Sequence, residues 1–276
     1  MALLNTDPSQ PDPIQNLGPT ESGTKSDPAS ISAALVGLDG LADRVAAILR
    51  VAPRAPVLTT SFGLEDQVLT DAAVAAMAAT GRSIRFVTLD TGRLFPETHE
   101  VWAATERKYG IRVTCISPEA GDLAQLVAEQ GIDGFRDSIE ARRSCCDTRK
   151  VAPLRRALAG SDVWITGLRA DQSGAREDTV FAGWDDNFGL LKVSPLADWS
   201  RERAVSYARD RQVPLNTLHA RGFLSIGCAP CTRAVAEDEP ERAGRWWWEQ
   251  EDRKECGLHR RPAHFSAHAD SLETTS

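Results

Sequence analysis

No apolar run in this 276-residue chain approaches the roughly 18 residues that a membrane-spanning helix needs. The opening Met1-Ala2-Leu3-Leu4-Asn5 has neither a basic region nor a long apolar stretch, so no secretory leader is expected. Basic excess is missing as well. Lys and Arg number 32 against 39 Asp and Glu, for a net charge of -7. That balance argues against a nucleic-acid coat or an anionic-membrane binder, although a local basic pocket for a small molecule can sit on an acidic protein. Neither GxxxxGK[ST] nor GxGxxG occurs, which disfavours a Walker-type ATPase and a nicotinamide dehydrogenase. No repeat at a solenoid period is present. Six cysteines are too few for a secreted disulfide framework. In the cytoplasm, where a chain without a leader is expected, clustered cysteines bind metal or do chemistry.

What is there suits a folded domain: 42% hydrophobic and 26% charged residues. Residues 1–30 hold Pro8, Pro11, Pro13, Pro19 and Pro28 among small polar residues and are expected to be disordered. A domain over 31–255 and a mobile tail over 256–276 follow. Within the domain, short apolar runs alternate with helical patterns. Strands are expected at 57–61, 84–89, 111–116, 163–167 and 190–193. Helices are expected at 65–79, from Pro96 to 109, at 121–129, 151–158 and 201–211. Past about 197 the strand rhythm stops and helices and loops are expected. Such alternation predicts an α/β fold with a doubly wound, mostly parallel sheet. Ligands of such sheets bind at the carboxyl ends of the strands, here 61–67, 90–93 and 167–176.

Each of those edges carries a usable motif. Thr60-Ser61-Phe62-Gly63-Leu64-Glu65-Asp66 puts hydroxyls and a glycine before a helix, where backbone N–H groups and the helix dipole can hold an oxyanion; an ordinary capped helix reads the same way. In Leu89-Asp90-Thr91-Gly92-Arg93, Gly92 permits close approach of a ligand and Asp90 can read a ribose or base edge, or simply close a turn. Gly167-Leu168-Arg169 through Arg176 is a basic, glycine-containing loop. Its arginines suit bidentate recognition of sulfate or phosphate.

The cysteines are more specific. Cys145-Cys146 and Cys228-Ala229-Pro230-Cys231 supply two thiol pairs, a donor set for an iron–sulfur cluster or tetrahedral zinc. Adjacent cysteines must splay their sulfurs, which favours a [4Fe–4S] cluster over a single zinc ion. Arg142, Arg143, Arg149 and Lys150 make the neighbourhood basic. Cys256 has no cysteine partner nearby. Arg253, Lys254 and His259 favour its thiolate while Glu255 opposes it, so it is either a mobile nucleophile or an incidental thiol. Cys115, inside a predicted strand, is expected in the core. Arg242 and Arg245 precede Trp246-Trp247-Trp248, a triplet that cannot all face one side of a helix; core packing is expected for one or two of them.

In order, these segments resemble the assimilatory adenylyl-sulfate and phosphoadenylyl-sulfate reductase family. The resemblance rests on Thr60-Ser61-Phe62-Gly63, Leu89-Asp90-Thr91-Gly92-Arg93, and Cys145-Cys146-Asp147-Thr148-Arg149-Lys150. It continues through Gly167-Leu168-Arg169 with Gln172-Ser173 and Arg176, then Cys228-Ala229-Pro230-Cys231-Thr232-Arg233 and Lys254-Glu255-Cys256-Gly257-Leu258-His259. It implies a fold like that of the adenine-nucleotide alpha hydrolases. It also implies one [4Fe–4S] cluster on Cys145, Cys146, Cys228 and Cys231, and a preference for adenosine 5′-phosphosulfate (APS). Cys256 matches the nucleophile, which would expel AMP and become S-sulfocysteine. Ser61, Phe62, Gly63, Leu89, Asp90, Thr91, Gly92, Lys150, Arg169, Arg176, Arg242, Arg245 and His259 are the implied substrate contacts. The chain ends soon after Cys256, so an external thioredoxin or glutaredoxin is expected as reductant. A homo-oligomer remains open. Three rival readings are a 3′-phosphorylated (PAPS) substrate, a metal-stabilised nucleotide-binding module without reductase chemistry, and an adenylating sulfurtransferase acting on tRNA.

Overall fold

The computed structural model describes residues 28–249 and Leu258. Chain order is α1 (Pro28–Val36), α2 (Leu41–Val51), β1 (Val57–Thr59), α3 (Leu64–Thr80), β2 (Arg85–Leu89), α4 (Pro96–Tyr109), β3 (Val113–Ile116) and α5 (Ala120–Gln130). Then follow α6 (Ile139–Cys146), a π-helical turn (Asp147–Val151), α7 (Ala152–Leu158), β4 (Val163–Ile165), β5 (Ala182–Asp185), β6 (Leu190–Val193) and α8 (Arg201–Asp210). The six strands form one sheet in the order β3-β2-β1-β4-β6-β5. All neighbours run parallel except the β5–β6 pair. The expected doubly wound sheet is therefore present, with an antiparallel edge. Beyond α8 the described chain is turns and short 3₁₀ segments.

Five of the six strands follow from apolar runs. β5 does not, because Ala182-Gly183-Trp184-Asp185 mixes weak strand formers with one aromatic residue and becomes a strand by pairing with β6. Helix α1 starts at Pro28, so residues 28–30 belong to the fold rather than to a disordered tail. Helix α2 shows Leu41, Val45, Ile48 and Leu49 on one buried stripe, a helical spacing. It packs with α3 on the larger hydrophobic core. A second core on the other face of the sheet joins Val57, Val87 and Trp164 to Leu154 and Leu158 of α7. Cys115, expected inside, is exposed on β3, because this strand lies at the sheet's edge.

The helix expected to start near 151 is the last part of a longer run. α6, the π turn and α7 are continuous. A π turn adds a residue to the helix and re-phases its faces. Here it lies directly after the tandem cysteines and contains Arg149 and Lys150.

Leu49 is fully buried in the larger core. Leu49→Ala is expected to cost about 2–5 kcal/mol, read as a lower urea midpoint with an unchanged m-value.

Candidate active site

The strand order reverses between β1 and β4, since β2 and β3 lie on one side and β6 and β5 on the other. A cleft opens there, outside the carboxyl ends of the strands, as expected for such a switch point. Its walls come from the segments after β1, β2 and β4, from Lys150, from the 224–228 loop, and from Arg242, Arg245, Trp246 and Leu258.

After β1 the chain turns sharply into α3. Phe62 sits at the turn with φ 59°, a left-handed conformation uncommon for a residue with a side chain. Its ring is buried and stacks on Trp102 at 5.5 Å. Phe62, expected at the substrate, is instead the apolar pin that holds the turn. Ser61 and Gly63 do line the cleft. The Ser61 backbone N–H and Oγ both donate to Asp66 Oδ2, at 2.6 and 2.7 Å. A carboxylate of the chain itself thus occupies these two anion-loop donors. Burial raises the Asp66 carboxyl to about 6, with the Ser61 bonds and Arg176 pulling it down and Glu65 pushing it up.

After β2, Leu89 and Thr91 line the cleft, whereas Asp90 and Gly92 do not. Asp90 closes a turn by accepting the Gly92 N–H at 2.8 Å and lies 3.7 Å from His99 Nε2. Gly92 is needed for its φ of 69°. Thr91 is a junction. Its carbonyl accepts from Arg149 Nη1 at 2.6 Å, and its hydroxyl lies 3.2 Å from Cys228 Sγ.

After β4 the two arginines part company. Arg176 reaches the cleft and donates to Gln172 Oε1 at 2.6 Å. Arg169, expected at the ligand, is fully buried and bound to Glu65 (2.8 Å), Asp171 (3.1 Å) and Glu241 (2.8 Å). Burial alone would lower its pKa, but Glu65 and Glu241 raise it. It is a fixed cation that holds two cleft-lining carboxylates. Gly167, also on the wall, has no room for a Cβ, which would meet Asp66 Oδ1.

The four paired cysteines pack into one small core with Phe135 and Trp246. Cys146, Cys228 and Cys231 are buried and Cys145 is half-buried. Among the described residues no three of these side chains close on a single ion. Burial, then repulsion from Cys228, pushes Cys231 up to about 11. Burial also raises Cys145, against the pull of Arg149. Cys228 is buried too, yet Lys150, Thr91, Arg245 and Arg149 outweigh that and lower it. Such a set does not hold several bare thiolates comfortably; a cationic centre would relieve it. Arg149 Nε, Arg245 Nε and Trp246 Nε1 are buried N–H groups with no partner among the described residues. Sulfur-rich anionic surroundings would give them acceptors. The donor set fits a metal–sulfur group.

Arg242 and Arg245 line the cleft. Arg245 lies flat on Gly227, where a Cβ would meet its guanidinium. An antiparallel bridge joins Thr232 to Arg245, and the Trp246 N–H donates to Cys231 O at 3.1 Å, so the cysteine loop and the arginine segment are one unit. Of the tryptophans, Trp246 is buried and Trp247 exposed. Cys256 and His259 lie outside the described residues. Leu258, between them in sequence, touches the second core, the cysteine core and the cleft. Glu241 and the 224–227 loop carry no motif of their own; proximity to Arg242 and the CxxC pair is the only signal for them, whereas Gln172 falls within the motif that holds Arg169 and Arg176.

An α/β nucleotide-binding fold with a cationic cleft and a cysteine quartet is the class these features define. The chain belongs to the phosphoadenosine phosphosulfate reductase domain family, whose model matches residues 55–234. It is 48% identical over 233 residues to the adenosine 5′-phosphosulfate reductase of Agrobacterium fabrum (strain C58 / ATCC 33970), covering 84% of this chain and 87% of that protein. It is 49% identical over 215 residues to the protein of that name from Allochromatium vinosum, covering 77% and 82%. Among solved structures, a phosphoadenylyl-sulfate (PAPS) reductase from Candida auris in a phosphate complex superposes with a TM-score of 0.62 at 22% identity, over 79% of this chain and all of that one. That match supports the fold.

One consequence concerns pH. Ionised Asp66 blocks the Ser61 donors and repels anions, so protonation should favour anion binding. Sulfate affinity is expected to rise as pH falls through about 6, by at most about tenfold per pH unit. Titration calorimetry with sulfate, whose charge is constant there, should find this rise in the wild type and a clearly weaker one in Asp66→Asn, where Glu241, also raised by burial, is the remaining carboxyl.

Proposed function

We propose that this protein reduces adenosine 5′-phosphosulfate to sulfite and AMP, with Cys256 as nucleophile. The observation that carries the reading is the cleft itself. Lys150, Arg176, Arg242 and Arg245 all line it, and Leu258 of the C-terminal segment forms part of its wall. Only Gly257 separates Cys256 from Leu258 in sequence, a span of at most about 7 Å of extended chain.

The chemistry follows from charge. The substrate is anionic, and an anionic thiolate must approach its sulfur. Cations fixed around the cleft lower that repulsion before the reaction begins, without reorganising during it. The Cys256 thiolate attacks the sulfonyl sulfur. The S–O bond to the phosphate breaks and its electron pair leaves on AMP, giving S-sulfocysteine. A thiolate of an external dithiol protein, a thioredoxin or glutaredoxin, then attacks Cys256 Sγ. Sulfite departs with the S–S electron pair and a mixed disulfide remains. The second thiol resolves it, and the dithiol supplies both electrons. Such a reductant is kept reduced in the cytoplasm, which is where we place the protein. Glu65, Asp66 and Glu241 on the cleft wall disfavour the extra charge of a 3′-phosphate, which supports APS over its 3′-phosphorylated form.

Cys145, Cys146, Cys228 and Cys231 would hold a [4Fe–4S] cluster. When bound, it would supply fixed charge and rigidity rather than electrons. Around it Thr91 and Lys150 reach from the cysteine core to the cleft.

Two measurements test this. Intact-mass analysis after incubation with APS and no reductant is expected to show one added SO₃, absent in Cys256→Ser. Equal sulfite release by that variant overturns the mechanism, and faster release from the 3′-phosphorylated nucleotide overturns the substrate. Separately, anaerobically purified protein is expected to carry about four irons per chain, lost in Cys228→Ser; stoichiometric zinc instead would refute the cluster.

A further inference from the structure

Arg142 is a charged residue that the proposed reaction leaves without a role, yet it is fully buried. It lies one helical turn before Cys146 on α6, on the same face. Its Nε donates to Glu249 Oε1 at 2.5 Å, and the Glu249 side chain is only 4% exposed. Its guanidinium also lies 4.7 Å from the centre of the Trp246 ring. The Arg245 guanidinium lies over the same ring, again at 4.7 Å. Trp246 is buried with φ 41°, a strained conformation for a residue with a side chain, which persists only where its surroundings hold it.

Two guanidiniums sharing one buried indole repel each other. Each gains from the ring's negative face, but both stay only if one charge is offset. Glu249 does this for Arg142, with Cys146 as a second and smaller counter-charge, and the Glu249 N–H returns to the Trp246 carbonyl at 2.9 Å, closing the unit. Among the described residues Arg245 has no carboxylate partner; the nearest groups of opposite charge are the Cys228 and Cys231 thiols. Its nearest acceptors, Ile226 O and Ser225 Oγ, are 3.4 and 3.5 Å away, and its Nε is without a partner among the described residues. Its place in the cleft therefore depends on Gly227 beneath it and on the ring beside it.

We propose that the buried Arg142–Glu249 pair is a positioning device for the substrate anion: by offsetting one cation on the Trp246 ring, it lets Arg245 keep its own contact with that ring and face the cleft. The proposal rests on the reading of the cleft as a nucleotide-anion site. It makes Arg142 and Glu249 positioning residues, because neither lines the cleft.

The test is a double-mutant cycle on the full chain, loaded with its metal–sulfur group, using AMP as the probe. Glu249→Gln keeps shape and removes charge. It is expected to weaken AMP binding and raise KM for APS about tenfold, with kcat within about twofold. Tenfold corresponds to about 1.4 kcal/mol. In an Arg245→Met background the same change is expected to have no further effect, because its target is gone. An unchanged AMP affinity in Glu249→Gln overturns the proposal, as does an equal loss in both backgrounds, which would mark a general structural defect. If Glu249→Gln fails to fold, the double variant Arg142→Gln/Glu249→Gln takes its place: it removes the second cation together with its counter-charge, so AMP affinity is expected to stay within about twofold of wild type, and a tenfold loss overturns the proposal. Failure of wild-type protein to bind AMP at all would instead refute the cleft assignment.

Discussion

Like charges have to be held together in this protein, and most of its polar architecture answers that constraint. Lys150, Arg176, Arg242 and Arg245 meet around one cleft, and the buried Arg142 and Arg169 add two more cations nearby. Buried cations repel one another and lose their hydration, so each must be compensated where it stands. Arg169 is offset by Glu65, Asp171 and Glu241, and Arg142 by Glu249. Glu241 in turn is pushed up by burial and by Glu65, and held down by Arg169 and Arg201. These carboxylates are shared between structure and site. Arg169 does not touch the cleft, but two of its three partners line it. Removing one member leaves a buried charge without its counter-ion, so the network behaves as a unit and not as a sum of pairs.

Topology decides where that network sits. Because the strand order reverses between β1 and β4, the loops after these strands diverge and leave a crevice. The Ser61 turn and the Gly167–Arg176 segment form its two sides, and the loop after β2 closes a third. The remaining wall comes from a part of the chain without regular structure. It is held by the Thr232–Arg245 bridge and by the Ala229 N–H bond to Arg93 O at 2.8 Å.

Strands and motif positions were legible because they are local. An apolar run such as Val163-Trp164-Ile165 has few alternatives to a buried strand, and the cysteine pairs are visible as spacing alone. What failed to read was set by distant partners. Arg169 and Arg176 look equivalent in sequence; only the packing of Glu65 from α3 and of Glu241 against one of them separates a buried tie from a cleft residue. Phe62 sits inside an anion-loop motif, yet Trp102 on α4 draws its ring into the core. β5 owes its existence to β6, and Cys115 owes its exposure to the edge position of β3. The π turn after Cys146 breaks helical phase where Pro153, four residues after Arg149, has no N–H to give the Arg149 carbonyl; that proline is the one local sign of it.

The union of the cysteine core with the anion cleft bears on what a cluster could contribute. The Cys231 carbonyl accepts from the Trp246 N–H, Thr91 touches both Cys228 and the cleft, and Gly227, adjacent to Cys228, is the platform under Arg245. Buried cysteines and cleft-lining residues thus lie on the same stretches of backbone, as Gly227 and Cys228 do. On the proposed mechanism every bond breaks heterolytically and the external dithiol supplies the electron pair, so no one-electron carrier is required. The Arg245 guanidinium sits so close to Gly227 that a Cβ there would meet it, so the cysteine loop also sets where that cation stands. Position and charge, rather than redox potential, are the properties that this arrangement would draw from a group bound by these four cysteines.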